Sequence, residues 1–466
     1  MPFHKKNADV IIIGGGFAGL SAAIEAKEAG AEVMVLEKMR APGGNSIISE
    51  GCMAAPGTEE QKAAGIEDSP ELMSRDMIKA GEGLNYPELV KVVTEKAKDA
   101  YLWTKEYLGV RYLDRVDMFG GHSVARCYTT ESVSGLDITK KQLARLKELN
   151  VPVYTGIYVK NLITGPEGSI KGISVHEDYH YKSGAAGPEK ELIAGQALII
   201  ASGGFGSDVS FRSAQDPRLD DSISSTNKPF ATAEILKDCL RVGANPVQLS
   251  RLQLFPWASP YEKGFGAGSR FGNNVVLGHG LIIDPKTGAR FVNELCNRKE
   301  MGEALMNLGY PAIGISNEKG VINAGWDISR ALKKGIVKTF SSIDELGENY
   351  GIDIQNLKNS ITRYNSMIEN GRDEDFNKPL PQKASPVSTP PFYAMEIWPK
   401  VHYTMGGIQI DTSARVIDLE QRPMKGLYAA GEVTGGIHGA CRLGSCAITE
   451  CLVMGRIAGR EALKHD

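Results

Sequence analysis

Residues 9–19 read DVIIIGGGFAG. The β-branched run Val10 to Ile13 has the texture of a buried strand, and it passes directly into Gly14-x-Gly16-x-x-Gly19 and then into the helical pattern LSAAIEAKEAG. In such a turn the first glycine permits the tight reversal, the second lets backbone approach a pyrophosphate, and the third lets helix and strand pack closely. Phosphates then lie at the helix N-terminus, beside Phe17 and Ala18, where unpaired N–H groups and the helix dipole favour negative charge. A second apolar strand, Glu32 to Leu36, ends at Glu37 and Lys38. An acid about 20 positions beyond the turn is where a ribose hydroxyl is expected to be held. Strand, turn, helix and acid together predict a dinucleotide-binding α/β fold of the Rossmann type.

With 466 residues the chain exceeds a single core, so two domains are expected. A net charge of -3 gives no reason to expect nucleic acid or an acidic membrane surface as partner. The opening MPFHKKNAD reaches the first strand without an apolar leader, and no run approaches the roughly 18 apolar residues of a spanning helix. A cytoplasmic protein without a membrane span is the expectation. The cysteines (Cys52, Cys127, Cys239, Cys296, Cys441, Cys446 and Cys451) are odd in number and scattered, which suits a reducing compartment. No ligand spacing argues for a metal.

Further along, Pro42-Gly43-Gly44-Asn45-Ser46 offers small residues and a hydroxyl to a cofactor's phosphates or ring edge. Ser69-Pro70-Glu71 reads as a helix start, and a second helical pattern follows from Tyr86. Phe119-Gly120-Gly121 breaks the pattern and Ile138 to Leu149 restores it. Strands are expected at Pro152 to Val159, Ser169 to His176 and Ala197 to Ala201, the last running into Ser202-Gly203-Gly204. This second glycine turn lacks the full motif, so one dinucleotide touched twice is expected, with no separate nicotinamide site. From Leu249 to Val401 short strands and turns dominate, with helical stretches at Ile343 to Tyr350 and Gln355 to Asn370. A strand at Gly426 to Ala430, a turn at Gly431-Glu432 and a helix from Ala447 then close the first domain. The expected division is 1–249 plus 402–466 for the dinucleotide domain and 250–401 for an α+β insertion.

The segments GGGFAGLSAA with Glu37, GGNSIISEGCM, ASGGFG, GARFVNELCNR, VHYTMGG and GLYAAGEVTGGIHGACRLGSCAITECLVMGRIAG occur in that order. With them the chain resembles the flavoprotein of the fumarate reductase and succinate dehydrogenase family, most closely its soluble flavocytochrome c branch without the haem domain. The resemblance implies FAD, a clamp (capping) domain inserted into the FAD domain, and hydride exchange between flavin N5 and a C=C bond activated by a carboxylate or carbonyl. Where some members carry a histidine that holds FAD covalently, this chain has Gly44-Asn45-Ser46, so non-covalent FAD is implied. The implied cofactor set adds Gly51, Cys52, Met53, Val159, Ala201, Ser202, Gly203, Gly431, Glu432, His438, Arg442, Ser445, Ala447 and Ile448. The last three lie at a helix N-terminus whose dipole suits a reduced flavin. Cys446 there is expected to be a small residue that fits beside the ring.

Three positions match the family's catalytic set. Arg298, in ELCNR, is implied to deliver a proton to the substrate carbon, while Arg442 and His402 are implied to hold a carboxylate. A guanidinium forks onto a carboxylate, withdraws density from the alkene and stabilises the enolate-like charge. Departures bear on the substrate. Family fumarate reductases read roughly A-H-P-T where this chain has Leu254-Phe255-Pro256-Trp257, so the histidine holding a second carboxylate becomes Phe255. A threonine and glutamate pair falls on Asn273 and Asn274, a relay arginine on Leu277, and a methionine near Phe119. Proton supply to Arg298 is left to water or Asn274. Rings around a second carboxylate would bury it unpaired, at several kcal/mol. The expected substrate is a monocarboxylate with an apolar or aromatic substituent, reduced with electrons from an external donor, either a protein or a reduced flavin or nicotinamide. Alternatives are a fumarate reductase, a 3-ketosteroid-type dehydrogenase, and an electron-transfer flavin subunit; the paired arginines argue against the ketosteroid class.

Overall fold

The computed structural model describes residues 7–165, 168–381 and 383–464. The chain forms two compact units, one of Met1–Arg218, Lys228–Leu252 and Tyr403–Asp466, the other of Leu219–Asn227 and Gln253–His402.

In the first unit an eight-stranded sheet is built around Asn7–Ile13. This strand lies parallel to Val33–Glu37 on one side and to Glu189–Ile200 on the other. Val33–Glu37 continues in parallel to Val153–Thr155, and Glu189–Ile200 to Pro423–Ala429. Val10, Ile11 and Ile12 have no exposed surface, as a central parallel strand covered on both faces requires. Glu189–Ile200 starts earlier than the apolar run at Ala197 suggests. Its outer half pairs with Ile170–His176 and leaves most side chains exposed, so only its inner half carries the continuous apolar signal.

The helices Phe17–Glu28 and Cys446–Glu461 pack through a seam of small residues. A Cβ on Gly455 would lie 2.4 Å from the Ala18 carbonyl oxygen, and one on Gly459 2.3 Å from that of Ala22. Arg456 and Arg460 both bind the Glu25 carboxylate, at 2.5 and 2.6 Å, and close the same contact electrostatically. Local signals act as read. Ser69 caps Pro70–Ala80 by accepting from the Leu72 N–H at 3.2 Å, and Ile343–Tyr350 is a helix.

In the second unit Phe392–Thr404 pairs antiparallel with Ala312–Asn317 and Lys338–Phe340 and is flanked by Leu252–Ala258. One face carries a core of Phe255, Trp257, Phe271, Met301 and Met395; another core of Leu281, Ile313, Leu357 and Tyr364 packs with the helix Ile354–Glu369. The segment 219–227 corrects the expected division. The sequence division puts it with the dinucleotide domain, yet the Thr226 N–H donates to the Val401 carbonyl and the Val401 N–H to that of Ser224, both at 2.9 Å. It therefore travels with the strand bearing His402, which also belongs to the second unit.

Gly19 tests the turn. A Cβ there would sit 2.0 Å from the Gly14 carbonyl oxygen, so Gly19→Ala must push helix from strand. We expect a loss of about 1–3 kcal/mol and a fall in flavin content on purification, read by thermal denaturation and by flavin absorbance per chain.

Candidate active site

Gly14 adopts φ +108°, and a Cβ on it would lie 2.2 Å from the Ala201 carbonyl oxygen, so the two strand ends meet with no room for a side chain. Glu37 is buried and accepts hydrogen bonds from the Gly15 N–H at 3.0 Å and the Met39 N–H at 2.8 Å. Burial pushes its carboxyl above the usual value, and these backbone donors pull it back. Ser46 accepts from the Phe17 N–H at 3.0 Å, which brings the second glycine segment onto the start of the first helix.

A cleft with about 990 Å³ of empty space is lined by Gly14, Gly16, Phe17, Ala18, Glu37, Lys38, Gly43, Gly44, Asn45, Ser46, Val159, Ala201, Ser202, Gly203, Gly431 and Glu432. Gly19 stands behind the turn and does not line it. Phe230, Ala231, Thr232, Glu234 and Ile235 form a further wall that sequence reasoning missed; no motif marks them. Lys38 directs its ammonium to the Thr232 hydroxyl at 2.8 Å and to Glu234 at 3.3 Å, and the Asn45 side-chain oxygen accepts from the Lys228 N–H at 2.8 Å.

The remaining expected residues of this unit gather around the start of the C-terminal helix. Ser445, at φ +65°, donates to the Cys52 sulfur at 3.1 Å, while the Thr449 hydroxyl accepts from the Ala54 N–H at 3.0 Å and donates to its carbonyl at 2.7 Å. The strand Cys52–Ala54, which follows Gly51, is thereby tied to the helix carrying Ala447 and Ile448. Met53 itself is fully buried and receives the Tyr112 hydroxyl on its sulfur. Burial pushes the Cys446 thiol up to about 12, so it is a neutral small residue there. Phe119 lies against this turn, 3.1 Å from where a Cβ on Gly444 would stand.

Arg442 is buried with its guanidinium 5.1 Å from the centre of the Tyr403 ring. His438 is also buried; desolvation, with Arg442 adding to it, pushes its imidazole down to about 3, so the ring is neutral. Both ring nitrogens are buried without a hydrogen-bond partner among the described residues. A glycine cradle at one end and an orphaned neutral imidazole elsewhere in the unit fit a dinucleotide whose heterocycle supplies the missing partner.

In the second unit Phe255 is the meeting point. Its ring centre lies 5.6 Å from the Arg298 guanidinium, 5.4 Å from the His402 ring and 5.8 Å from that of Trp257. Arg298 opens the helix Arg298–Leu308, capped by Asn297 accepting from the Glu300 N–H. His402 Nδ1 sits 2.7 Å from the Thr226 hydroxyl, which orients the imidazole. Asn273 and Asn274 lie on a helical segment, the first donating to the second. Leu277 follows them on the next turn.

Two buried acids in the first unit carry a pH consequence. Glu432 accepts from the Thr404 N–H at 3.0 Å, yet burial pushes its carboxyl up to about 7. Glu450 accepts from the Gly431 N–H at 3.0 Å and is pushed up to about 8 by burial and by Glu432. Both favour the neutral form when folded, so their stabilising share is complete below the ordinary carboxylate value and is lost as pH rises through 7 to 8. The thermal midpoint should fall between pH 5 and pH 9, and Glu450→Gln should flatten that slope.

Among the described residues no helix is long and apolar enough to cross a membrane. The sequence pattern of a family described as FAD binding domain matches residues 9–448. The chain is 39% identical over 463 residues to the acrylate reductase flavoprotein subunit of Shewanella woodyi, covering 98% of this chain and 91% of that protein. It is 34% identical over 464 residues to the fumarate reductase (cytochrome) of Shewanella frigidimarina, covering 98% and 77%. The solved open conformation of a flavocytochrome c3 fumarate reductase superposes with a TM-score of 0.80 at 29% identity, covering 98% of this chain and 78% of that one. With cradle, orphaned imidazole and whole-length likeness in agreement, FAD is the cofactor of this oxidoreductase, and the chain belongs to the flavoprotein family of fumarate reductases and succinate dehydrogenases.

Proposed function

We propose that this flavoprotein reduces the C=C bond of an α,β-unsaturated monocarboxylate bearing an apolar or aromatic substituent. Reduction of unsaturated acids in general is supported by the names of the relatives, acrylate and fumarate reductases alike. The narrower choice rests on Phe255. The family's fumarate reductases place a histidine there for a second carboxylate; here a ring only 1% exposed packs against Arg298, His402 and Trp257. Neither Phe255 nor Trp257 offers a second anion a charge, and a carboxylate left unpaired against them would cost several kcal/mol. Acrylate, named for the Shewanella woodyi relative, has a single carboxylate.

FAD, which the glycine cradle with Glu37, Asn45 and Ser46 would hold non-covalently, would supply hydride chemistry toward a C=C bond. Arg442 takes the carboxylate through its forked donors, and its burial under Tyr403 strengthens that ion pair by excluding water. In the second unit His402, oriented by Thr226, is a further candidate carboxylate donor. Arg298, stacked on Phe255 at the first turn of its helix, gives a proton to the neighbouring carbon and recovers one from water. Electrons come from an external donor; the Shewanella woodyi relative is named a flavoprotein subunit, which favours a separate protein in that role. A pure electron-transfer subunit is the second reading, on the same observation.

Anaerobic reoxidation of the reduced protein separates these. Fast reoxidation by acrylate or a substituted acrylate supports the reductase, and reoxidation only by a partner protein supports the shuttle. A kcat/KM for fumarate at or above that for every acrylate would remove the monocarboxylate reading. Arg298→Ala should keep its flavin and lose turnover by about 10²-fold or more. Phe255→His, which restores a donor, should raise the fumarate to acrylate ratio by roughly tenfold or more.

A further inference from the structure

Phe265 was not marked by any motif, yet its ring centre lies 4.8 Å from Phe255 and 6.4 Å from the His402 ring. It stands between Gly264 at φ +64° and Gly266 at φ +76°, at the tip of a tight turn. Two independent anchors hold that turn. The Glu262 carboxylate accepts from the N–H groups of Ala267 at 2.8 Å and Gly268 at 2.7 Å, and Lys334 approaches it at 3.2 Å. From the other side Lys400, with no exposed surface, donates its ammonium to the carbonyls of Glu262 and Gly264, the latter at 3.0 Å.

A buried lysine is an expensive anchor for a connecting turn. Burial holds its ammonium down at about 8. Lys400 lies two residues before His402 on one strand, so both side chains project to the same face. One strand thus sets the imidazole and, through two backbone carbonyls, the ring facing it. The separation between Phe265 and His402 is fixed by covalent geometry and hydrogen bonds.

We infer that Phe265, pinned by Lys400, limits the size of the substrate's apolar end, admitting short unsaturated monocarboxylates and excluding aryl-substituted ones. This rests on the monocarboxylate reading and narrows it. Phe265 is a specificity residue packed against the carboxylate-binding His402, and Lys400 is a positioning residue that acts through it.

The test uses the intact FAD-loaded protein, reduced anaerobically and offered acrylate, crotonate and cinnamate. The wild type should prefer acrylate and crotonate over cinnamate. Phe265→Ala should shift the cinnamate to acrylate ratio of kcat/KM upward by about tenfold or more, and Phe265→Tyr, which keeps the ring, should not. Lys400→Met should shift the ratio the same way and raise KM for acrylate with kcat held within about threefold. If that variant does not fold, the Phe265 pair decides. A ratio unmoved by Phe265→Ala, or a wild type that prefers cinnamate, would overturn this inference while leaving the monocarboxylate reading standing. Reoxidation by none of the three acids would overturn both.

Discussion

The first unit depends on a steric constraint at Gly14, where the Ala201 carbonyl already occupies the space a side chain would need. Two parallel strands converge there, and the buried Glu37 carboxylate fixes the turn that follows the first of them through the Gly15 N–H. Because this meeting point is closed by backbone, the cleft in front of it is lined by main chain and small residues. That suits phosphates, which want N–H groups rather than bulk. The C-terminal helix reaches the same layer because Gly455 and Gly459 let it lie directly on the first helix.

Burial then sets the protonation of the groups that matter. His438 is kept neutral, Glu432 and Glu450 hold protons into the physiological range, and Cys446 stays a thiol. The cations behave differently. Arg442 and Arg298 rest on aromatic faces, whose quadrupoles attract a cation. Anion-binding capacity is therefore preserved where the proposed chemistry needs it, while groups that would compete for that charge are switched off.

Much of this was legible in the amino-acid order because it is local. The strand, glycine turn and helix at 9–28, the cap at Ser69 and the helix Ile343–Tyr350 each announce themselves within a few residues. Resemblance supplied Arg298, His402 and Arg442, positions that spacing alone would have left as ordinary surface or core residues. What escaped reading is long-range. Segment 219–227 belongs with the second unit only because it hydrogen-bonds a strand some 175 positions away. Phe265 gains its place from Lys400, more than 130 residues on, and Glu450 its altered acidity from a neighbour folded against it. No periodicity encodes such pairings; they exist only once the chain has closed.

The ring cluster around Arg298 has a consequence for breadth of substrate use. A pocket that pairs a second charge sorts molecules sharply, since the wrong one leaves a buried ion stranded. A pocket walled by hydrocarbon sorts by fit, and one methylene more or less changes rates by only about 10–200-fold. On the monocarboxylate reading proposed above, Phe255 in place of an ionic recognition element would trade exclusivity for tolerance.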